Sequence, residues 1–341
     1  GVQRAEVTNA STTGLIDPAT RTWSQELLDA LPEGSAIQGL LPTLAEPGTI
    51  LGPVLPDVVP GVVNAAGEPT PVVHVGSHDT ASAVVGVPAQ QPNFAYISSG
   101  TWSLVGLELD EPVLTEASRA DNFTNELGVD GTVRYLKNVS GMWTFNHCLA
   151  EWRSQDGGRP IDITRLLTQA ADEPSLARVV DLNHPSLVAP GPMTQRINDL
   201  LVANGQPPAT TRVQTVRAIM DSLALAYRAA IELAGSHAGR EVDVVHIVGG
   251  GSRNAHLCQQ TADATGRPVV AGPAEGTALG NLLVTARAIG QLDGGLDRLR
   301  AVGAASSDLT LYRPTLSPRT SEAWLQAAQL LNSMIKNNQK G

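Results

Sequence analysis

A chain of 341 residues is long enough to bury a sizeable core and to form two lobes rather than one. Its hydrophobic share of 42% and charged share of 16% fit a soluble globular protein. A formal net charge of −10 disfavours a nucleic acid or an anionic membrane as partner, because both call for clustered Lys and Arg.

Residues 1–70 read as loop-rich, with one short amphipathic helix over 22–31 that Ser24 can cap. Pro42, Pro47, Gly48, Gly52, Pro53, Pro56, Pro60 and Gly61 punctuate the stretch that follows. A strand over 71–75 leads to Asp79 and a small-residue helix over 80–87. The Pro/Gln-rich residues 88–92 make the best boundary between lobes. Residues 94–98 and 102–107 predict a hairpin around Ser99-Gly100, with a further strand at 132–136. Helices are expected over 141–153, 164–171 and 193–203. The longest periodic stretch is 211–236, where Val213, Val216, Met220, Leu223, Tyr227 and Ile231 recur at three- and four-residue spacing and mark a core helix. A βαβα run follows, with strand 242–248, helix 254–265, strand 268–271 and helix 276–288. A last helix is expected over 322–334, and the polar end over 336–341 is expected to fray. Strands and helices alternate, so the fold class is α/β. Cys148 and Cys258 match no metal-ligand spacing and read as buried, reduced thiols. No apolar run reaches the length of a membrane span and the N-terminus shows no signal-peptide pattern, which makes the cytoplasm the expected location.

Three segments carry chemistry. In Gly76-Ser77-His78-Asp79-Thr80 an ionisable carboxylate follows an apolar run and has hydrogen-bonding neighbours. Such a carboxylate can take a proton from a hydroxyl; the structural alternative is that Asp79 caps the helix after it. Ser98-Ser99-Gly100-Thr101 reads as strand, tight turn and strand. The turn can aim N–H groups and hydroxyls at a phosphate, or serve as a plain hairpin connection. Gly249-Gly250-Gly251 lies between a strand and a helix, where consecutive glycines allow close approach of a flat ligand. It lacks the spacing and the trailing acidic residue of a dinucleotide site. Asn254 reads as the cap of the following helix, with contact to the base of a bound ligand as the alternative, and Trp143 and Trp152 read as core.

Asn9-Ala10-Ser11-Thr12-Thr13, Gly76 through Ser82, Ser98 through Ser103, Leu136-Lys137-Asn138 through Gly141-Met142-Trp143, and Val248 through Asn254 occur in the order and spacing of one family. Along nearly all its length the chain resembles the FGGY carbohydrate kinases, and within them the rhamnulokinase branch. The resemblance implies an actin-like ATPase (ribonuclease H-like) fold of two lobes. Residues 1–88 are then the remainder of the N-terminal, sugar-binding lobe and 89–341 the C-terminal, nucleotide-binding lobe. The family's opening strand-turn-strand, with its glycines and early Asp, has no counterpart here. The chain is therefore expected to lack the first part of its N-terminal lobe and to show little kinase activity by itself. The implied reaction moves the γ-phosphoryl group of ATP to the 1-hydroxyl of L-rhamnulose, with Mg²⁺ bridging the phosphates. Asp79 is then the catalytic base, His78, Asp79, Thr80 and Asn138 contact the sugar, and Thr101, Asn146 and Gly250 contact ATP. Asn146 is one methylene shorter than the Gln common at that place in the family. Residues 272–281 are also family-like, and their small side chains suit close helix packing near the nucleotide. Two alternatives stand beside this reading: another FGGY kinase, acting on xylulose or glycerol, and a non-catalytic nucleotide-binding fragment.

Overall fold

A computed structural model of the chain describes residues 2–315 and 317–338. Seven strands form one mixed sheet: β1 (Phe94–Ser99), β2 (Ser103–Leu109), β3 (Thr124–Leu127), β4 (Val133–Val139), β5 (Val244–Val248), β6 (Val269–Ala271) and β7 (Thr310–Tyr312). Their order across the sheet is β7-β6-β5-β1-β2-β4-β3. β5 runs parallel to both β1 and β6, while β7 is antiparallel to β6 and β3 to β4. The principal helices are α1 (Asp79–Val85), α2 (Trp143–Gln155), α3 (Ile163–Ala171), α4 (Met193–Ala203), α5 (Arg212–Ala238), α6 (Ala255–Thr265), α7 (Gly276–Ala288), α8 (Leu296–Ala305) and α9 (Pro318–Asn338). The expected α/β alternation is present. β5, α6 and β6 form the parallel βαβ unit that the sequence pattern predicts, and such a pair needs a crossover helix. β3, β7 and α8 lie where the sequence reading placed nothing.

By packing, the chain divides into two compact units, each discontinuous in sequence. The first comprises Gly1–Pro92, Leu107–Leu136 and Glu275–Asp308; the second comprises Asn93–Gly106, Lys137–Ala274 and Leu309–Gly341.

In the first unit, short two- to four-residue strands pair locally: Ile16–Asp17 with Thr22–Trp23, Ala5–Glu6 with Leu44–Ala45, and Ile50–Pro53 with Pro71–Val73. The helix expected over 22–31 is shorter, Gln25–Ala30, because Thr22 and Trp23 belong to a strand. Ser24 caps it, accepting from Leu27 N at 3.3 Å. Val85, Val129, Leu283, Val284 and Leu299 form one apolar cluster in which α1, α7 and α8 meet. The α1/α7 contact is made by glycines. A Cβ on Gly280 would lie 1.8 Å from Ser82 O, and one on Gly86 would lie 2.5 Å from Gly276 O. The small residues around 276–280 therefore do pack helices closely, and the helix they pack against is the one that starts at Asp79.

In the second unit the 27-residue α5 is the central helix. Thr211 caps it, and of the predicted stripe residues Val216, Met220, Leu223, Tyr227 and Ile231 are buried while Val213, in the first turn, is half-buried. Burial continues around the whole circumference between Thr215 and Leu225 and takes in a charged pair. Arg217 Nε lies 2.9 Å from Asp221 Oδ2, and Arg217 Nη1 donates to the carbonyls of Ala171 and Glu173 at the end of α3. Cys148 and Cys258 are buried free thiols, both pushed up to about 12 by burial. Of the end expected to fray, Lys336–Asn338 continue α9, and residues 339–341 lie outside the described residues.

His256, near the start of α6, is held down to about 4 by burial and then by the charge of Arg217. An unfolded histidine takes up its proton near pH 6.5. Between these values the unfolded chain binds a proton that the folded chain refuses, so stability falls as pH drops from about 6.5 toward 4. This one group is expected to withdraw up to about 3 kcal/mol across that window. Urea unfolding at pH 7.5 and 4.5 should show a His256→Gln variant losing less stability on acidification than the parent.

Candidate active site

The Ser77-His78-Asp79-Thr80 segment in the first unit is held from beneath by the buried carboxylate of Glu6, 71 residues away in sequence. Glu6 Oε2 accepts from Ser77 N at 3.0 Å and Ser77 Oγ at 2.5 Å, and also from Thr8 Oγ1 at 2.6 Å. Its Oε1 accepts from Thr8 N at 2.9 Å, and Thr8 Oγ1 in turn accepts from His78 N at 3.2 Å. Ser82 Oγ donates to Gly76 O at 2.7 Å, which closes the loop onto the first turn of α1. Glu6→Gln would turn an amide N–H₂ toward some of these donors, and buried hydrogen bonds to a charged group are worth about 1.5–3 kcal/mol each. A loss of roughly 2 kcal/mol in urea denaturation is expected for that variant.

His78 occupies the N-cap position of α1 without a capping side-chain bond, and Asp79 is the first helical residue. The alternative role of Asp79 as N-cap is thus not adopted. Its Oδ1 accepts from Thr80 N at 2.6 Å, and its side chain is 82% exposed, open to a solute. The His78 ring is mostly buried and lies 3.3 Å from the guanidinium of Arg134 on β4. Arg134 is completely buried; it donates from Nε to Leu127 O at 3.2 Å and sits 2.9 Å from Glu126 Oε2 on β3. Burial first, and then the charge of Arg134, hold the His78 ring below the ordinary histidine range against the opposing pull of Glu126, Asp79 and Glu6. Thr80 is buried, and Thr277 Oγ1 on α7 donates to Asp79 O at 3.3 Å.

The second unit gathers the other sequence motifs around the β1–β2 turn. Gly100 N donates to Trp102 O at 3.0 Å and so closes the turn, while Thr101 is exposed at its tip. Gly141 permits the close crossing of residues 141–143 over this turn. Its φ is +55°, and an added Cβ would lie 2.7 Å from Thr101 O. Met142 N and Trp143 N donate to Gly100 O and Thr101 O at 3.1 and 2.9 Å. On the other side, Gly249 (φ +83°) and Gly251 abut Ser99, and a Cβ on Gly251 would lie 2.0 Å from Ser99 Oγ. Gly250 faces open space and is exposed, which leaves its backbone accessible to a ligand. Asn254 caps α6, as the sequence predicts, with Oδ1 accepting from Leu257 N at 3.1 Å. Asn138 is exposed on β4, and Asn146 is exposed on the first turn of α2.

Three features escaped the sequence reading. Tyr227 belongs to the apolar stripe of α5, yet its hydroxyl lies 2.7 Å from Ser103 Oγ and 3.3 Å from Ser99 Oγ and ties both edges of the turn to the helix. Burial pushes this phenol up to about 12. Trp143 is half-buried rather than core: it stacks on the 45%-exposed Trp102 at 5.8 Å and donates from Nε1 to Leu187 O. Trp152 is core as expected. The third is the Glu6 and Arg134 support of the Asp79 motif. Arg134 had a visible signal, a charge set within the apolar run Val133-Arg134-Tyr135-Leu136.

Comparison with known proteins gives this geometry its context. The profile of the FGGY family of carbohydrate kinases, C-terminal domain, matches residues 95–289, more than half of the chain. The chain belongs to the FGGY carbohydrate kinase family. A rhamnulokinase from Bacteroides thetaiotaomicron is 39% identical over 314 residues, covering 92% of this chain and 62% of that protein. A rhamnulokinase from Pectobacterium carotovorum is 40% identical over 285 residues, covering 84% of this chain and 54% of that protein. The chain thus spans between about half and two thirds of the length of these curated relatives. Among solved structures, Plasmodium falciparum glycerol kinase with ADP superposes with a TM-score of 0.73 at 16% identity, covering 99% of this chain and 64% of that one. A gluconate kinase from Lactobacillus acidophilus gives 0.71 at 17% identity, with 98% and 64% covered. The fold is the actin-like ATPase fold shared with these kinases. Among the described residues no helix is long and apolar enough to cross a membrane, and no group of three or more His, Cys, Asp or Glu could hold a metal ion.

Proposed function

We propose that this chain is part of a rhamnulokinase-type sugar kinase, which transfers the γ-phosphoryl group of ATP to the 1-hydroxyl of L-rhamnulose and yields L-rhamnulose 1-phosphate and ADP. The observation that carries this reading is an exposed Asp79 carboxylate at the start of α1, on a loop fixed by hydrogen bonds to the buried Glu6, in a chain 38–40% identical to several rhamnulokinases. Phosphoryl transfer asks little covalent chemistry of a protein; it asks for positioning and for charge to be met where it develops. The hydroxyl oxygen attacks the γ-phosphorus, the bond from that phosphorus to the bridging oxygen breaks, and ADP leaves with the electron pair. Asp79 orients the hydroxyl and accepts its proton as the new bond forms, then returns the proton to solvent. On the same reading His78, Thr80 and Asn138 bind the sugar, while Thr101 at the turn, Asn146 and the open backbone at Gly250 bind ATP. Residues 1–88 are assigned to the sugar-binding lobe and 89–341 to the nucleotide-binding lobe. The described residues hold no cluster of three metal-ligating groups, so magnesium would be held chiefly by the oxygens of the triphosphate that carries it and by water. Bound there, it would neutralise charge on the phosphates.

The test is ADP release by a form spanning the full length of the relatives, offered L-rhamnulose, D-xylulose and glycerol in parallel. Turnover is expected to favour L-rhamnulose, with the phosphate on carbon 1. Preference for D-xylulose or glycerol would replace the substrate assignment, and nucleotide binding without turnover of any of the three would overturn the kinase reading.

A further inference from the structure

We propose that Arg134 is a positioning residue that fixes the proton pattern of His78, keeping the single ring proton on Nε2 so that His78 meets a bound sugar as a hydrogen-bond donor. The substrate half of this inference rests on the function proposed above; the proton pattern does not.

The argument is one of donor and acceptor capacity. A guanidinium has five N–H donors and no acceptor, and it stays protonated in proteins. Arg134 Nη1 stands 3.3 Å from His78 Nδ1, so the favourable arrangement places the Nδ1 lone pair toward it. A proton on Nδ1 would set N–H against N–H in a buried place. The rival partner for an Nδ1 proton is Asp79 Oδ1, which lies 3.6 Å away, beyond hydrogen-bond length, and already accepts from Thr80 N at 2.6 Å. Arg134 cannot readily turn away. Its side chain is fully buried, with Nε on Leu127 O and Glu126 Oε2 2.9 Å from Nη1. His78 is held as well, through its backbone N–H on Thr8 Oγ1.

The charged groups facing the ring are Arg134, Glu126, Asp79 and Glu6. Burial and Arg134 together outweigh the three carboxylates and favour the uncharged ring. Nε2 has no partner among the described residues, and 22% of the side chain remains exposed. Nε2–H is therefore the polar atom of His78 left for a ligand, and it calls for an acceptor: a ketose carbonyl, or a hydroxyl oxygen whose own proton points elsewhere. In this arrangement His78 selects for an oxygen acceptor and would pair poorly with a substrate that presents an ammonium or amide N–H there.

The proton pattern can be read without any ligand. In the chain labelled with ¹⁵N-histidine, two-bond ¹H–¹⁵N correlation spectra between pH 7.5 and 8.5 separate protonated from unprotonated ring nitrogens, and a His78→Gln variant identifies the His78 signals. The expected result is an unprotonated Nδ1 and a protonated Nε2 throughout. A protonated Nδ1, alone or together with Nε2, would overturn the proposal. Arg134→Met removes the donor and is expected to shift the ring toward the Nδ1–H form or a mixture, with its titration moved up toward the ordinary histidine range. Arg134→Lys, which also can only donate, should restore the original pattern. That second variant and the parent spectrum decide the matter even if Arg134→Met, which leaves Glu126 buried without its cation, does not fold. Persistence of the pattern in a folded Arg134→Met variant would remove Arg134 from the role. Titration with L-rhamnulose is expected to move the Nε2 signal. The expected ligand-free pattern with an unmoved signal would keep the proton assignment and overturn the substrate contact.

Discussion

Replacing Asp79 with Asn is expected to lower kcat about a hundredfold or more while leaving KM for the sugar and the stability of the fold nearly unchanged. Asn is almost isosteric and keeps an oxygen that can accept from Thr80 N, the bond that Asp79 Oδ1 makes at 2.6 Å. It loses only the negative charge and the capacity to take a proton. The stability cost is confined to an acidic group in the first turn of α1, an interaction worth about 0.3–1 kcal/mol. A hundredfold loss of rate corresponds to about 2.7 kcal/mol on the barrier, within what a positioned general base supplies. Steady-state ADP release in a form spanning the relatives' full length, together with urea unfolding, separates the two quantities. A variant that keeps most of its turnover would take Asp79 out of the chemistry, and one that loses several kcal/mol of stability would make it a structural residue.

The second large effect is expected at Gly280. In an exposed helix, Gly→Ala stabilises by about 1 kcal/mol through helix propensity. Here the new methyl carbon would stand 1.8 Å from Ser82 O, 2.7 Å from Ser82 C and 3.2 Å from Gly86 N, all of them backbone atoms of α1 or its C-cap. No rotamer change relieves such a contact, so the two helices must separate. Overpacking costs typically 1–3 kcal/mol, and with backbone on both sides the upper figure applies, about 3 kcal/mol net of propensity. Since α1 opens with Asp79, turnover is expected to fall together with the melting temperature. Gly250→Ala supplies the contrast: its Cβ meets nothing within 4 Å, so stability should stay within about 0.5 kcal/mol. On the proposed reading that variant nevertheless weakens nucleotide binding, which calorimetry with ADP would detect. If Gly280→Ala melts like the parent, the close approach of α1 and α7 is not real.

What could be read in the sequence follows the range of the interactions concerned. The 27-residue α5 and the β5-α6-β6-α7 run announce themselves because helical periodicity and glycine punctuation are local signals repeated many times. The motif residues stood out for the same reason: Ser77 to Thr80, Ser98 to Thr101 and Gly249 to Gly251 are contiguous. β3 and β7 have four and three residues, and what makes them strands is pairing with β4 and β6, which no short window contains. Glu6 reaches Ser77 across 71 residues and Arg134 reaches His78 across 56, so no short window shows either partnership, although Arg134 stands out as a charge within an apolar run. Tyr227 was placed correctly on the buried face of α5, but periodicity says only that a residue points inward. That its hydroxyl would find Ser99 and Ser103 is a fact of tertiary packing. Trp143 misled in the opposite direction, since an aromatic on a helix reads as core while its neighbour Trp102 remains partly in solvent.

The contact of Gly251 with Ser99 has a consequence for how this turn can vary. The serine hydroxyl already fills the space that a methyl group on Gly251 would need, so two segments about 150 residues apart share one small volume. A side chain at position 251 therefore requires the one at position 99 to be removed. Gly251→Ala alone is therefore expected to destabilise the turn, and Ser99→Gly beside it to relieve that clash at the expense of the Ser99–Tyr227 contact.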